Sequence, residues 1–495
     1  MSVRRYVLLV VFVFLAAGLF CCQVSWADEF TIRTSDRKTI TLQARLAGSA
    51  QGTLALELPD GQIQLVAQGN VTKRTPGEDP KPITHEQMAD RLKQEFGGEK
   101  LFRSYIQKPF VIGLVLSSPL KKKEELRCKS FLKKAGRFMR NVERTFISYA
   151  RRMKFHHHDP RFPLVLLIFE TDKDFEAYAR KITGGRTLSA NRIAGFYNGL
   201  TNWLAIRLSE CHDYEVPLHE AIHQQVYNRG VVQRLSPAPS WFHEGIATGF
   251  AGNGDRISIM PNKVSKRFAR RAMSATRIDW TTIVATDRPF RGNNLAADAY
   301  THAWGLHWLL STRFTKEYMK YVQKLSTGKT LETQTPEERI REFREMIGST
   351  PAELQSKFPR YLAGAIKKQR ISLANETPPG VSHTQDNLAN VAIKAVNTNG
   401  VLRVNGQMSN ISPIRAMTFY ITVETNGGTY ADWLIPSLRS GKTVVLQPQA
   451  ARKVMRNARG GISSTFRVRV RAASPDSPEA KRWQKGELPV PVFGG

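Results

Sequence analysis

The chain has 495 residues, with 73 Lys and Arg against 42 Asp and Glu, a formal charge of +31 and 4 Cys. Such a length accommodates two to four domains with at least one sizeable core. The charge favours polyanionic surroundings, acidic polysaccharide or an anionic envelope surface, and without a nucleic-acid-binding motif it does not point to nucleic acid as a specific partner.

The chain opens on Arg4 and Arg5, continues through an apolar run from Tyr6 to Cys22 and reaches a small-residue site at Ser25, Trp26 and Ala27. This is the pattern of a secretory leader over residues 1–27, so the expected location is periplasmic or extracellular, with envelope association as a further expectation. No second apolar run is long enough to cross a bilayer, and no transmembrane segment is expected after leader removal. Cys128 and Cys211 lie beyond the leader. Two separate buried thiols are expected there, although an oxidising compartment permits their pairing.

Residues 28–75 alternate apolar and polar positions, with Pro59, Asp60 and Gly61 turning between two runs. They predict a small β domain, an SH3-like barrel or a meander. A Pro-rich linker follows at 73–87, and from 88 to 370 helical and strand patterns mix. Residues 111–118 read as a short apolar strand, and Phe131, Phe138, Val142, Phe146 and Tyr149 stand at helical spacing. The outer face of that long helix carries Lys121, Lys122, Lys123, Lys129, Lys133, Lys134, Arg137, Arg140 and Arg144, which reads first as a solvated face. A buried strand is predicted over 162–170, a helix over 172–182 and two strands over 193–208, turning near Asn198 and Gly199. Mostly helical sequence then runs to 370, and a second linker spans 375–387. Residues 388–473 alternate at strand period with Asn-Gly turns at 399–400 and 426–427, predicting a β-sandwich of immunoglobulin or fibronectin class. Residues 474–495 read as a loose tail.

The chemistry concentrates in HEAIH, residues 219–223. On a helix, residues four apart share a face, so the imidazoles of His219 and His223 can converge on one cation, while Glu220 can reach a water bound to it. Pro217 suits a first turn and Gly230 a stop. Leu218, Ile222 and Val226 supply a separate apolar stripe, which leaves the histidines available for chemistry. A catalytic zinc takes a third protein ligand and keeps one position open. Glu244, in PAPSWFHEGIATGF and one turn into a helix that Ser240 can cap, is placed to provide it. His212 and His243 flank the motifs without ligand spacing, and the triplet His156, His157 and His158 reads as an exposed loop.

Together, HEAIHQ and PSWFHEGIAT resemble the gluzincin zinc metallopeptidases, and more closely the peptidase-MA-like proteins secreted by bacteria, over residues 193–314. The resemblance implies that His219, His223 and Glu244 bind one catalytic Zn²⁺. It also implies that Glu220 takes a proton from the activated water and passes it to the leaving amine. By the same likeness Tyr300 and His302, in AYTHAWGLH, are candidates for stabilising the oxyanion. Two departures stand out. Thr248 occupies the position where some gluzincins carry an acidic residue that orients a zinc histidine, and the G-x-M-E-N motif of the aminopeptidases is missing.

The expected fold is α+β: a zincin-like metallopeptidase core with a mixed sheet, active-site helices and a helical C-terminal subdomain, flanked by the two β domains. The expected function is zinc-dependent hydrolysis of peptide or protein substrates, with the 193–208 strands offering an edge for an extended peptide. The alternative is a catalytically inactive, peptidase-like envelope or extracellular binding protein that docks on polyanionic partners.

Overall fold

The computed structural model describes residues 28–34, 36–184, 194–212, 214–251, 261–273, 278–291, 296–373, 381–386, 388–398, 401–425, 428–450, 466–474, 477–488 and 492–493. The leader predicted over 1–27 and the Asn-Gly turns at 399–400 and 426–427 lie outside the described residues.

The first six strands are β1 (Glu29–Arg33), β2 (Thr39–Gln43), β3 (Arg45–Ala50), β4 (Thr53–Glu57), β5 (Ile63–Ala67) and β6 (Val71–Thr75). The turn at Pro59, Asp60 and Gly61 joins β4 to β5 as an antiparallel hairpin. The barrel alternative is corrected here: the strands form two three-stranded sheets, in the orders β2-β1-β6 and β3-β4-β5. Phe30, Ile32, Leu56 and Val66 fill the space between them. Alternation marks which side chains point inward, but it does not say which strand pairs with which, so closure was not readable from it.

The site is carried by a five-stranded mixed sheet. Helix α1 (His85–Glu95) precedes β7 (Phe102–Gln107) and β8 (Phe110–Val115), and α2 (Lys122–Arg152) leads to β9 (Leu164–Phe169). Helix α3 (Asp172–Thr183) precedes β10 (Gly195–Asn198) and β11 (Trp203–Arg207). The strand order is β10-β11-β9-β8-β7, with β8, β9 and β11 parallel and the outer strands antiparallel. The run Leu164 to Phe169 is apolar throughout because both faces of the sheet are covered. Leu164, Leu166 and Ile168 face the core shared with α2, while Val165, Leu167 and Phe169 face α1 and α3.

Helices follow in sequence: α4 (Glu215–Asn228), α5 (Ser240–Ala251), α6 (Lys266–Ala272), α7 (Trp280–Ala285), α8 (Ala296–Arg313), α9 (Thr315–Leu325), α10 (Pro336–Ile347) and α11 (Pro351–Gln369). Side chains from α2, α4, α5 and α8 to α11 join one continuous core with the sheet. Cys128 is buried in that core and forms no disulfide with Cys211.

Strands β12 (Val381–Asp386), β13 (Ala389–Thr398), β14 (Val401–Asn410), β15 (Met417–Thr425), β16 (Gly428–Leu438), β17 (Thr443–Ala450), β18 (Arg467–Ala472) and β19 (Val492–Phe493) form two antiparallel sheets. Their orders are β12-β13-β14-β17-β19 and β16-β15-β18. Val391, Val404 and Leu446 of one sheet meet Phe419, Ile421 and Trp433 of the other in a shared core. Two expectations are corrected here. The second linker contains β12, which pairs with β13, and the tail contains helix α12 (Pro478–Gln484). That helix is held down because Arg482 donates to the buried Asp432 at 2.9 Å and Ala480 packs with Leu434 and Leu488. The composition of residues 474–495 reads as a tail only because the partner of this short helix lies some fifty residues earlier.

Deep in the helical core, His307 of α8 bonds Tyr318 of α9 through Nδ1 at 2.7 Å and lies 3.5 Å from Tyr149 of α2 through Nε2. Burial pushes the His307 pKa down from 6.5 to about 3. A histidine whose folded pKa lies below its unfolded value adds stability that is complete above the unfolded value and drains away as pH falls toward the folded one. Denaturation midpoints should therefore fall between pH 6.5 and about 3. His307→Leu should start lower at neutral pH, by about 1–3 kcal/mol for the hydroxyls left unpaired, and then fall less steeply. Parallel pH profiles for the two proteins would eliminate His307 as a source of the slope.

Candidate metal centre

Helix α4 separates its two jobs by angle. Leu218, Ile222 and Val226 are buried in the core, while His219, Glu220 and His223 line a cleft. Gln224, one residue further round, donates to Val165 O at 2.9 Å and so pins α4 to β9. Arg229 at the helix end bonds the buried Glu143 of α2, and Gly230 follows with positive φ. The helix that presents the two histidines is thereby fixed to the sheet and to α2 at separate points.

Glu244 of α5 meets the histidines. Its Oε2 lies 3.0 Å from His219 Nε2 and 3.5 Å from His223 Nε2, and the two Nε2 atoms are 3.1 Å apart. Donors about 2.0–2.1 Å from one tetrahedral ion lie about 3.3 Å from one another, so this triangle has the dimensions of a zinc ligand set. Burial would raise the Glu244 pKa, but His223 and His219 outweigh it and hold the carboxyl well below its usual range. Burial likewise opposes protonation of His223, and the Glu244 charge overcomes it, raising that pKa. Among the described residues these three are the one His/Cys/Asp/Glu group of metal-binding dimensions. His157 and His158 of the histidine triplet instead bond nearby backbone carbonyls.

The glycine after Glu244 has a packing cause. Helices α5 and α8 approach so closely that a Cβ on Gly245 would stand 2.6 Å from Ala303 O and 2.9 Å from His307 Cβ. That contact brings α8, and with it Tyr300, up to the cluster. At the start of α5 the Ser240 amide donates to Asp287 Oδ1 at 2.8 Å. The sequence reading assigned capping to Ser240 itself; Asp287, held in turn by Arg339 at 3.1 Å, was missed because it arrives from a distant loop.

Glu220 sits beside the cluster, and one carboxylate oxygen accepts the Tyr197 backbone N–H at 2.8 Å. Burial raises its pKa, the two histidines pull it back and Glu244 pushes it up, for a net rise. Tyr300 lines the same cleft, its ring 6.1 Å from that of His219. The Glu244 charge, with burial and Glu220, pushes the Tyr300 pKa up. His302 is corrected. Two residues on along α8 it points elsewhere, with Nδ1 accepting from Trp280 Nε1 at 3.1 Å and Nε2 lying 3.3 Å from Ile278 N. His302 is absent from the cleft lining.

The cleft has a volume of about 740 Å³. One wall is a column of rings, Tyr197 stacked on Tyr227 at 5.5 Å and Tyr227 on His243 at 4.9 Å. Burial pushes the His243 pKa down to about 3, and its Nε2 lies 3.1 Å from Tyr227 Oη. Tyr197 belongs to β10, the edge strand, which borders the cleft along the same side. Arg207 N donates to Ala194 O across to β11. By antiparallel alternation Gly195 and Tyr197 therefore turn their backbone groups outward.

The β10–β11 turn is braced from the N-terminal sheets. Arg234 donates to Gly61 O at 2.7 Å, to Gly199 O at 3.2 Å and to the Glu57 carboxylate. Ile63 N also donates to Leu200 O at 2.7 Å. Gly199 and Leu235 both line the cleft, so residues next to Arg234 and its partners form part of the rim.

Two outcomes follow from this geometry. Zinc titration of the full chain should give one ion per chain and a raised melting temperature, and Glu244→Ala should weaken zinc affinity by at least tenfold; unchanged affinity would remove Glu244 from the ligand set. Gly245→Ala should push α5 from α8, costing about 1–3 kcal/mol by overpacking and weakening zinc binding while the chain stays folded, as read by calorimetry and metal titration.

A family model described as "Protein of unknown function (DUF1570)" matches residues 216–332, a span that contains His219, Glu220, His223, Glu244 and Tyr300. No curated protein matches the chain in sequence. Among solved structures, the ZmpB metallopeptidase from Clostridium perfringens aligns over 87% of this chain and 91% of its own at 10% identity, with a TM-score of 0.31. So loose a superposition carries no argument about the site.

Proposed function

We propose that the chain is an exported, zinc-dependent peptidase of gluzincin type acting on peptide or protein substrates. One observation carries the reading: His219, His223 and Glu244 form a triangle of zinc-ligand dimensions, with Glu220 beside it and an outward-facing strand edge along the same cleft. Export rests on the leader pattern of residues 1–27.

In this reading His219, His223 and Glu244 hold the ion. Zinc bound there supplies Lewis acidity, making water a nucleophile at neutral pH and polarising a carbonyl. Glu220 takes the proton of the attacking water and hands it to the leaving amine. Its place beside the three ligands, with one oxygen held by the Tyr197 N–H, suits a carboxylate that passes a proton from water to amine. Tyr300, whose ring lies 6.1 Å from that of His219 in the same cleft, donates a hydrogen bond to the developing oxyanion. An extended substrate strand pairs with the outward groups of Gly195 and with the Tyr197 carbonyl. The Tyr197 N–H is already committed to Glu220, so the strand that receives substrate also sets the base.

The test is hydrolysis of casein and of a mixed-peptide pool by zinc-loaded protein. Glu220→Gln should keep stoichiometric zinc and lose about 10²–10⁴ in rate. Tyr300→Phe should lower kcat by about 10²–10³ with zinc affinity unchanged. If the zinc-loaded wild type cleaves neither substrate, the peptidase reading gives way to that of a peptidase-like binding protein.

A further inference from the structure

Helix α2 carries a row of charge that the zinc cluster does not use. Lys122, Lys129, Lys133, Arg137, Arg144 and Arg151 are all exposed. At about 100° and 1.5 Å per residue they fall within an arc of about 80° and extend about 44 Å along the helix. None of the six forms an ion pair with a described residue; Arg144 reaches only the Asn141 amide oxygen.

The acids of the same helix are engaged elsewhere. Glu124 lies 3.3 Å from Arg415, Glu125 pairs with Arg103, and Glu143 with Arg229 and Arg140. The row is therefore not neutralised by its own element. Lys129 with Lys133, and Lys133 with Arg137, stand at i,i+4, where like charges destabilise a helix. A merely solvated face would be better served by mixed signs. The opposite face is locked into the core through Phe138, Met139, Val142 and Phe146, so the row is held in place before any partner arrives.

The shape selects among polyanions. A helix that lies in a membrane surface inserts its apolar face, but here that face is packed in the core and Leu126, 72% exposed, is the large apolar side chain of the helix that stands out from it. Binding of single-stranded nucleic acid relies on exposed aromatic rings between the cations, and none of the exposed residues of α2 is aromatic. A linear chain of anions can run along this line of cations without apolar insertion or ring stacking. We propose that this face of α2 docks a linear acidic polysaccharide, a contact independent of the zinc cluster.

The experiment measures binding of fluorescent polygalacturonate and heparin to the full chain across a salt series. The triple variant Lys129→Gln, Lys133→Gln, Arg137→Gln should lose at least tenfold in affinity, and its salt dependence should become shallower by about one power per cation removed. A control that removes equal charge from other helices, Lys173→Gln, Lys320→Gln, Lys357→Gln, should change affinity less than twofold. Equal loss in both triples would reduce the effect to net charge and overturn the proposal. So would an absence of binding to both polymers at physiological salt, or tighter binding to phosphatidylglycerol vesicles that depends on Leu126.

Discussion

A carboxylate taken largely out of water must be matched where it lies, and Glu244 is matched by two imidazoles on another helix. Much of the surrounding architecture serves that meeting. Helix α4 must be held at a fixed rotation, which Gln224 and Arg229 accomplish from opposite ends of its second half. Helix α5 must run close enough to α8 that a glycine follows the glutamate. The same approach brings Tyr300 to the cluster, so the position of a candidate oxyanion donor depends on the packing that sets a candidate ligand.

The N-terminal sheets enter this scheme by contact rather than by chemistry. Arg234 is nearly buried and joins Glu57 and Gly61 to Gly199. A guanidinium with several donors can satisfy two carbonyls and a carboxylate at once, which a lysine in the same place cannot do with the same planar fork. The C-terminal strands are attached by similar means: Arg415 lies between Glu170, at the end of β9, and Glu124, with Ser118 O at 2.8 Å. Among the described residues, neither β unit supplies a group to the cluster. The first braces the turn that borders the cleft, and the second is tied to the far side of the same sheet.

What was legible in the sequence had a short range. Leu218, Ile222 and Val226 repeat at helical period on one face, so the angle between them and His219 and His223 could be read directly. Glu244 was found because it too sits in a strong local pattern, and the structure brings it to the histidines. For His302 local geometry is decisive: two residues along a helix is a rotation of about 200°, so it does not share a face with Tyr300. Other features were not local. The Tyr197 N–H that holds Glu220 is a backbone group, present in every residue but proline, and only the register of β10 makes it special. Asp287 reaches Ser240 across 47 positions. Barrel closure and the fate of the last residues depended on strand pairing and on Asp432, neither of which periodicity encodes.

The distribution of charge bears on the proposed action on peptides. The formal charge is +31, yet the charged residues among the described lining of the cleft are Glu215, Glu220 and Glu244, with no lysine or arginine. Two of these carboxylates are already matched, Glu215 by Arg267 and Glu244 by His219 and His223. An anionic polymer on the α2 row, as proposed, would find no lysine or arginine among the described residues that line the cleft. A peptide bound there, as proposed, would find the rings of Tyr197, Tyr227 and His243 to pack against. On the proposed reading anchoring and cleavage would use separate surfaces, the cations of α2 outside and the ring-lined cleft within.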